Sequence, residues 1–538
     1  MHEMSRRAVL GGGLAVAATA ALSGCRSSKD PGATQSRNAA VQLPTYVKYE
    51  GVTPDYKGNA VLNDGFKKFP ESLVKGVEQA PGDGKPISFM TNIPGALPPG
   101  KDQNKFWQEL NTQLGSDLEI SMATNDEYPT KFQTRVASGD LPDIVNVPVG
   151  TARMPELLAA SCVDLTEHLA GDAVKKYPFL ANLSEDYWRG CVFNGGIYGV
   201  PVPRLMSRTS SALCRLDLLE EKGIGKPEPA SFDESMQLWK DVTDPKSNVW
   251  AWTRVPQTYI LGMLGIDNGW HEEGGKFTHW REHAEYKRAL EAMQQMVKEG
   301  VVNPDSFTAN ATTRKQWFNG GRAIFDYDSF VAWNQYYAEN SAGDAFSVDM
   351  LDVPAFDSGV EAKPWLGAAL NNVTSFKKDS EHEVETLLAV ANWMAAPFGT
   401  EEYLFRKYGT AGEHYELNGT DPVPKKEGVV QTGIGLQYIS DSPLALYYAG
   451  KPEVAERQHA IQKAMEPRLS RDASQGLYSE TAYGDGKTAD KEFDDGVNQI
   501  IQGNKPVSDY DALLSTWKQT GDKVRSEFEQ AFAAANGG

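Results

Sequence analysis

The sequence predicts an α/β fold built on a doubly wound sheet, divided into more than one domain. Three observations carry that prediction. Between Lys85 and Pro148, short apolar runs alternate with stripes at helical spacing. The 538-residue chain is far longer than one hydrophobic core supports. Each strand-like run also gives way to a polar loop, and in open α/β sheets ligands sit at that carboxyl edge.

The run Pro-Ile-Ser-Phe-Met within Lys85–Thr91 reads as the first strand, with Asn92-Ile93-Pro94-Gly95 as its loop. Asn104 to Leu114 places Phe106, Trp107, Leu110 and Leu114 on one helical face. Leu118 to Met122 alternates as a strand and ends at Asn125-Asp126. Tyr128, Phe132 and Val136 recur at four-residue spacing, so a second helix follows. Gly139 can take the positive φ of a helix end, and Pro142 bars the helix from resuming. Ile144, Val145 and Val147 then form a buried, β-branched strand, opening into a loop over Pro148–Arg153. Right-handed crossovers would bring Asn92, Asp126 and Asn146 to one sheet edge.

Further along, Met154–Leu169 reads as helix and turn, and Asn194-Gly195-Gly196 predicts a tight hairpin. Ser231 with Glu234 makes a capping box, and Trp250, Trp252 and Tyr259 form an aromatic cluster. Leu290, Met293, Met296 and Val297 mark a helix ended by Gly300. Leu387–Ala396 and Ser526–Ala535 are also helical in pattern.

The N-terminus reads as an address. Arg6-Arg7 precedes an apolar run from Ala8 to Leu22, similar to a twin-arginine export signal, so 1–24 is expected to be a signal peptide. Leu22-Ser23-Gly24-Cys25 matches a lipobox, which makes Cys25 the expected lipidation site. Residues 25–44, polar and without apolar period, are expected to be a flexible lipid-anchored tether. A formal charge of −19 argues against nucleic acid as a partner. Cys162, Cys191 and Cys214 fit no zinc spacing and leave room for one disulfide at most.

Ala-Ser-Gly-Asp-Leu-Pro-Asp-Ile-Val (137–145) resembles a signature of the extracellular solute-binding proteins that serve ABC importers. The segments 193–201, 211–234, 297–308, 315–328 and 403–415 match further pieces of that family in order. The chain therefore resembles a family 1 solute-binding lipoprotein of the long, oligosaccharide-type branch. The resemblance implies two doubly wound α/β lobes joined by hinge strands, the type II periplasmic-binding-protein-like fold. Lobe 1 would take 45–203 plus 366–436, and lobe 2 would take 204–365 plus 437–538. It also implies a monomer that captures a carbohydrate and delivers it to a permease by lobe closure, with no catalysis and no cofactor.

Sugar binding needs ring faces for stacking and planar polar groups for hydroxyls. Trp252, Tyr327 and Trp365 are the candidate rings beside crossings or strand ends. The candidate polar contacts are Asn92, Asp126, Asn146, Arg204, Asp328 and Asn371, and the Arg204 guanidinium suits a hydroxyl pair or a uronate carboxylate. Two rival readings stand beside capture. His279-Trp280-Arg281-Glu282-His283 fits HxxEH, the pattern of a zinc hydrolase with Glu282 as general base. A sugar-binding surface adhesin is the other. Asp241–Asn248 lacks the oxygen ladder of a calcium loop, so no metal is expected there.

Overall fold

The computed structural model describes residues 31–340 and 345–536. Its main strands, in chain order, are β1 (Ile87–Ile93), β2 (Leu118–Thr124), β3 (Ile144–Pro148), β4 (Val200–Pro203), β5 (Ser210–Arg215), β6 (Trp250–Trp252), β7 (Ala323–Ser329), β8 (Val348–Leu351) and β9 (Leu370–Phe376). They form two sheets, ordered β2-β1-β3-β9-β4 and β8-β5-β7-β6. In the first, β1 pairs parallel with β2 and β3, as the strand–helix alternation predicts. The helix Lys105–Leu114 between β1 and β2 is capped by Asn104, whose side chain accepts from the Trp107 amide. The helix Tyr128–Ser138 stops at Gly139, whose φ of 71° needs no Cβ accommodation. Return strand β9 runs antiparallel to both β3 and β4.

The second sheet departs from the doubly wound expectation. β5 follows directly on the crossing from the first sheet, inserts between β8 and β7, and runs against both, while β7 and β6 are parallel. The sheet is therefore mixed, because β5 arrives from the other lobe without a crossover helix. Its two faces feed different cores, as strand alternation requires: Ala212 and Cys214 join Trp252 and Phe325, whereas Leu213 joins Trp333 and Met350. A separate core surrounds the first sheet, through Phe89, Phe106, Phe132 and Trp188.

Two chain passages between the sheets lie side by side. The Arg204 and Leu205 amides donate to the Ala369 and Ala368 carbonyls at 2.8 and 3.0 Å. Gly367 sits so close that a Cβ there would lie 2.5 Å from the Arg208 carbonyl carbon. Gly367→Ala is expected to wedge the passages apart and cost about 1–3 kcal/mol, measurable by urea unfolding; an unchanged midpoint would contradict the close approach. Leu205, buried in the same passage, holds a φ of 49°, a strained backbone for a branched side chain. Past the expected boundary at residue 436 the chain serves two cores: Ala445, Tyr447 and Ala449 pack with Phe66, Phe69 and Phe398, while Leu444, Tyr448 and Val454 pack with the core of Trp333.

The expected tether is partly folded. Pro31–Ala39 is a helix packed against the C-terminal helix Tyr510–Ala535. Gln35 donates to the Gly476 carbonyl at 3.2 Å and accepts from the Tyr478 amide at 3.0 Å. Asn38 accepts from the Gly195 amide at 2.8 Å, in the hairpin turn predicted at Asn194-Gly195. Polar composition hid this segment because its anchoring is by hydrogen bonds with distant backbone rather than by an apolar stripe. The export signal and Cys25 lie outside the described residues. Cys162, Cys191 and Cys214 are buried and unpaired, with burial raising each thiol.

Candidate ligand-binding cleft

A cleft of about 650 Å³ opens between the two sheets, against the paired passages. Its floor takes Arg204, Ser207 and Arg208 from the first passage and Asn371 from the start of β9. One wall carries the loop after β1 (Ile93 to Leu97) with Tyr403, Lys407, Tyr438 and Asp441. The other carries Lys315, Asp328, Val331 and Gln335 from the second sheet and its helices.

An ionic cluster joins the floor to the wall that carries Asp441, with Arg406 buried behind it. Asp441 is approached by Arg406 Nη1 at 2.8 Å, Lys407 Nζ at 3.3 Å and Arg204 Nη1 at 3.7 Å. Burial opposes ionisation of Asp441, but Lys407, Arg406 and Arg204 together hold its carboxyl below the usual range. Burial, with the two guanidiniums, pushes the Lys407 ammonium down to about 8, against the pull of Asp441. Three cations thus share one carboxylate, in a chain whose net charge is −19. Arg208 adds a fourth and donates to the Asn371 Oδ1. Lys407 is charged below its value of about 8 and neutral above it. Affinity for an anionic ligand is therefore expected to fall as pH rises through about 8, in a calorimetric series from pH 6.5 to 9.5. A flat profile would remove Lys407 from the site.

On the opposite wall, β7 alternates. Asp326 and Asp328 point to one side; Phe325 and Tyr327 point to the other. Asp326 is buried and accepts from the Tyr336 hydroxyl at 2.5 Å and from Thr253. Asp328 reaches the cleft with Lys315 Nζ 3.8 Å away. Burial raises the Asp328 carboxyl, Lys315 opposes this, and Asp326 adds to it.

The predicted residues separate into groups. Arg204, Asp328 and Asn371 line the cleft together. Asn92 and Asn146 converge as topology predicts: Asn146 Nδ2 donates to Asn92 Oδ1 at 2.8 Å, and Asn92 Nδ2 donates to Asn125 Oδ1 at 2.6 Å. They form a chain of amides at the sheet edge, and Asn146 is buried with its Oδ1 left without a partner. Asp126 is exposed and helps stabilise the charge on Arg314 of the second lobe.

The three aromatic candidates are elsewhere. Trp252 is 0% exposed, in core contact with Trp239 and Phe325 at centroid distances of 5.4 Å each. Tyr327 lies on the core face of β7, 6.5 Å from the Tyr259 ring, because its neighbour Asp328 takes the cleft face. Trp365 donates its indole N–H to the Ile266 carbonyl at 2.8 Å and packs on Trp280. Missed by sequence reasoning were Arg208, Lys315, Lys407 and Asp441. Their contribution depends on three distant segments meeting, and no local spacing announces that.

The HxxEH segment is a 3-10 turn (Trp280–Glu282), not a helix. The His279 ring accepts from the Arg281 amide and lies between Trp270 and Trp517, each 4.7 Å away. Glu282 is paired with Arg525 and, at 2.9 Å, with Lys518. Burial, then Arg281 and Arg525, drive the His279 imidazole well below its ordinary value. The zinc-hydrolase arrangement therefore does not form: the two imidazoles are not on one helical face, and the carboxylate is held by cations. Among the described residues no group of His, Cys, Asp and Glu is arranged to hold a metal ion.

Comparison with known proteins places this geometry in a family. Residues 100–400, more than half of the chain, match the model for bacterial extracellular solute-binding proteins. The chain belongs to that family. It is 23% identical over 490 residues to the polygalacturonan/rhamnogalacturonan-binding protein YtcQ of Bacillus subtilis, covering 86% of this chain and 95% of that one. Lipoprotein LipO of the same organism is 21% identical over 450 residues, covering 78% of this chain and 87% of LipO. Among solved structures, the N-glycan transport solute-binding protein NgtS of Streptococcus pneumoniae, in complex with Man1GlcNAc, superposes with a TM-score of 0.61. That match has 14% identity and covers 84% of this chain and all of NgtS. The fold is thus the two-lobed, type II periplasmic-binding-protein-like architecture.

Proposed function

We propose that this solute-binding protein captures an acidic oligosaccharide outside the cell and delivers it to an ABC import permease. The cationic cluster of Arg204, Arg406 and Lys407 around the single carboxylate Asp441 carries the reading. A uronate carboxylate entering the cleft offsets the charge that Asp441 leaves uncompensated, and a guanidinium can fork onto it. The relative YtcQ, named for binding polygalacturonan, supports the same chemistry. The moving bodies are 45–203 with 366–436, and 204–365 with 437–538. Ligand contacts from both walls favour the closed form, since Lys407 stands on one wall and Lys315 and Asp328 on the other. Lipidation at Cys25 fits the lipoprotein relative, and a docked helix at Pro31–Ala39 then leaves a short linker to the membrane. No covalent step is part of the reading, and the ligand leaves unaltered.

Titration calorimetry with galacturonate oligomers and neutral maltooligosaccharides, paired with small-angle scattering, tests it. Tight binding of the acidic oligomer, compaction on binding and unchanged ligand by mass spectrometry are expected. Preference for the neutral oligomer would overturn the acidic reading, and hydrolysis of either would overturn capture.

A further inference from the structure

The N-terminal segment bridges the two lobes. Its helix, Pro31–Ala39, packs along the helix Tyr510–Ala535, whose Trp517, Val524 and Phe528 belong to the second-lobe core. Gln35 is buried there and bonds to the backbone of Gly476 and Tyr478. Glu527 of the C-terminal helix holds the same loop, accepting from the Ser479 hydroxyl at 2.6 Å and the Thr481 hydroxyl at 2.7 Å. From Val41 onward the chain belongs to the other lobe. Val41 and Leu43 pack on the first-lobe core, the Thr45 amide donates to the Gly171 carbonyl at 2.9 Å, and the Val47 amide donates to the Ala181 carbonyl at 2.8 Å. Asn38, near the end of the helix, already accepts from Gly195 in the first-lobe hairpin, so the helix is held from both sides.

This bridge lies behind the pivot. Neighbouring residues of the paired passages face opposite ways: Arg204 and Asn371 line the cleft, whereas Leu205 and Leu370 line a second cavity, of about 540 Å³. Phe193 from the first lobe and Leu477, Tyr483 and Phe528 from the second enclose that cavity. Its two sides are joined where the Arg153 amide donates to the Tyr483 carbonyl at 2.9 Å and the Phe193 ring meets the Tyr483 ring edge-on at 6.4 Å. Gln35, through Gly476 and Tyr478, and Asn38, through Gly195, tie down the chain on both sides of this seam. Two bodies turning about the passages cannot approach at the cleft without separating at the cavity behind it.

Resting on the reading of capture by lobe closure, we propose that the segment Pro31–Val47 is a clasp that holds the back of the hinge together and so resists closure of the cleft. A simple tether needs bonds to one lobe only; this segment has them to both. Closure stretches the clasp, so the unliganded chain stays open and ligand contacts must outweigh the bonds given up. The apparent affinity is then lowered by the fraction of molecules free to close.

Small-angle scattering and titration calorimetry of the full chain, wild type beside two variants, test the clasp. Gln35→Ala combined with Asn38→Ala removes the side-chain bonds to both lobes. Ser36→Pro, at an exposed position, breaks the helix without entering either lobe core. Without ligand, both variants are expected to be more compact than wild type. Both should also bind a galacturonate oligomer about three- to tenfold tighter, as a loss of one or two hydrogen bonds opposing closure implies. Unliganded scattering identical to wild type would overturn the clasp, whether or not the oligomer binds. Weaker binding by the variants would overturn it too, by placing these contacts in the closed form. Failure of wild type to bind the oligomer would overturn the acidic reading alone, and binding without compaction would overturn lobe closure and the clasp with it.

Discussion

Replacing Asp441 with alanine is expected to lower the free energy of unfolding by about 3–5 kcal/mol, because it strands buried cations. The Arg406 side chain is 1% exposed and that of Asp441 is 11% exposed, so water cannot take over the lost partner. Arg406 would keep only its bond to the Ala396 carbonyl and its position over the Tyr403 ring. Arg204 and Lys407 would then face it with no intervening negative charge, which adds repulsion. Asp441→Asn keeps a carbonyl oxygen able to accept from the Ser442 amide, yet loses the charge, so it should fall between wild type and alanine. The pH dependence has a definite sign. The folded-state carboxyl is held below its ordinary value, so the stability it contributes is present above about pH 4 and is lost as pH falls through the folded value. Urea unfolding at pH 7 and pH 3.5 measures this: the gap between wild type and Asp441→Ala should shrink at the lower pH. A loss below 1 kcal/mol at pH 7 would mean the cluster is solvated rather than structural.

Trp252→Ala is expected to cost a similar amount, about 3–5 kcal/mol, by opening a cavity in the second-lobe core. The indole is enclosed by Trp239, Phe325 and Tyr259, with ring centroids at 5.4, 5.4 and 6.0 Å, on a strand whose partner register sets Trp252 opposite Phe325. Its Nε1 is buried without an acceptor. Trp252→Phe removes that unpaired donor as well as part of the ring, so it should cost clearly less than alanine. Because Trp252 is remote from the cleft lining, the folded fraction of either variant should bind ligand as wild type does. A selective loss of affinity without loss of stability would return Trp252 to the binding site.

Both predictions concern residues whose place the sequence did not announce. The structure brings Arg204, Asp328 and Asn371 to one cleft because each stands at a strand end or a chain crossing, and topology sends such positions to the gap between lobes. Trp252 and Tyr327 were misread for a shared reason. Nearness to a strand end says nothing about which face of the strand a side chain takes, and β7 gives the cleft to Asp328 and the core to Tyr327. HxxEH was a five-residue coincidence whose geometry required a helix that the chain does not make there.

By itself the sequence determined local elements on and beside the first sheet: the helix from Asn104 to Leu114, the Gly139 stop, the β-branched run at Ile144–Val147 and the Asn194-Gly195 turn. Each follows from short-range sterics and hydrogen bonding, which a few neighbouring residues specify. Only the tertiary structure decided the charge of the cleft. Arg204 meets Lys407 and Asp441 from more than two hundred residues away, and electrostatic energies depend on distance in space rather than along the chain.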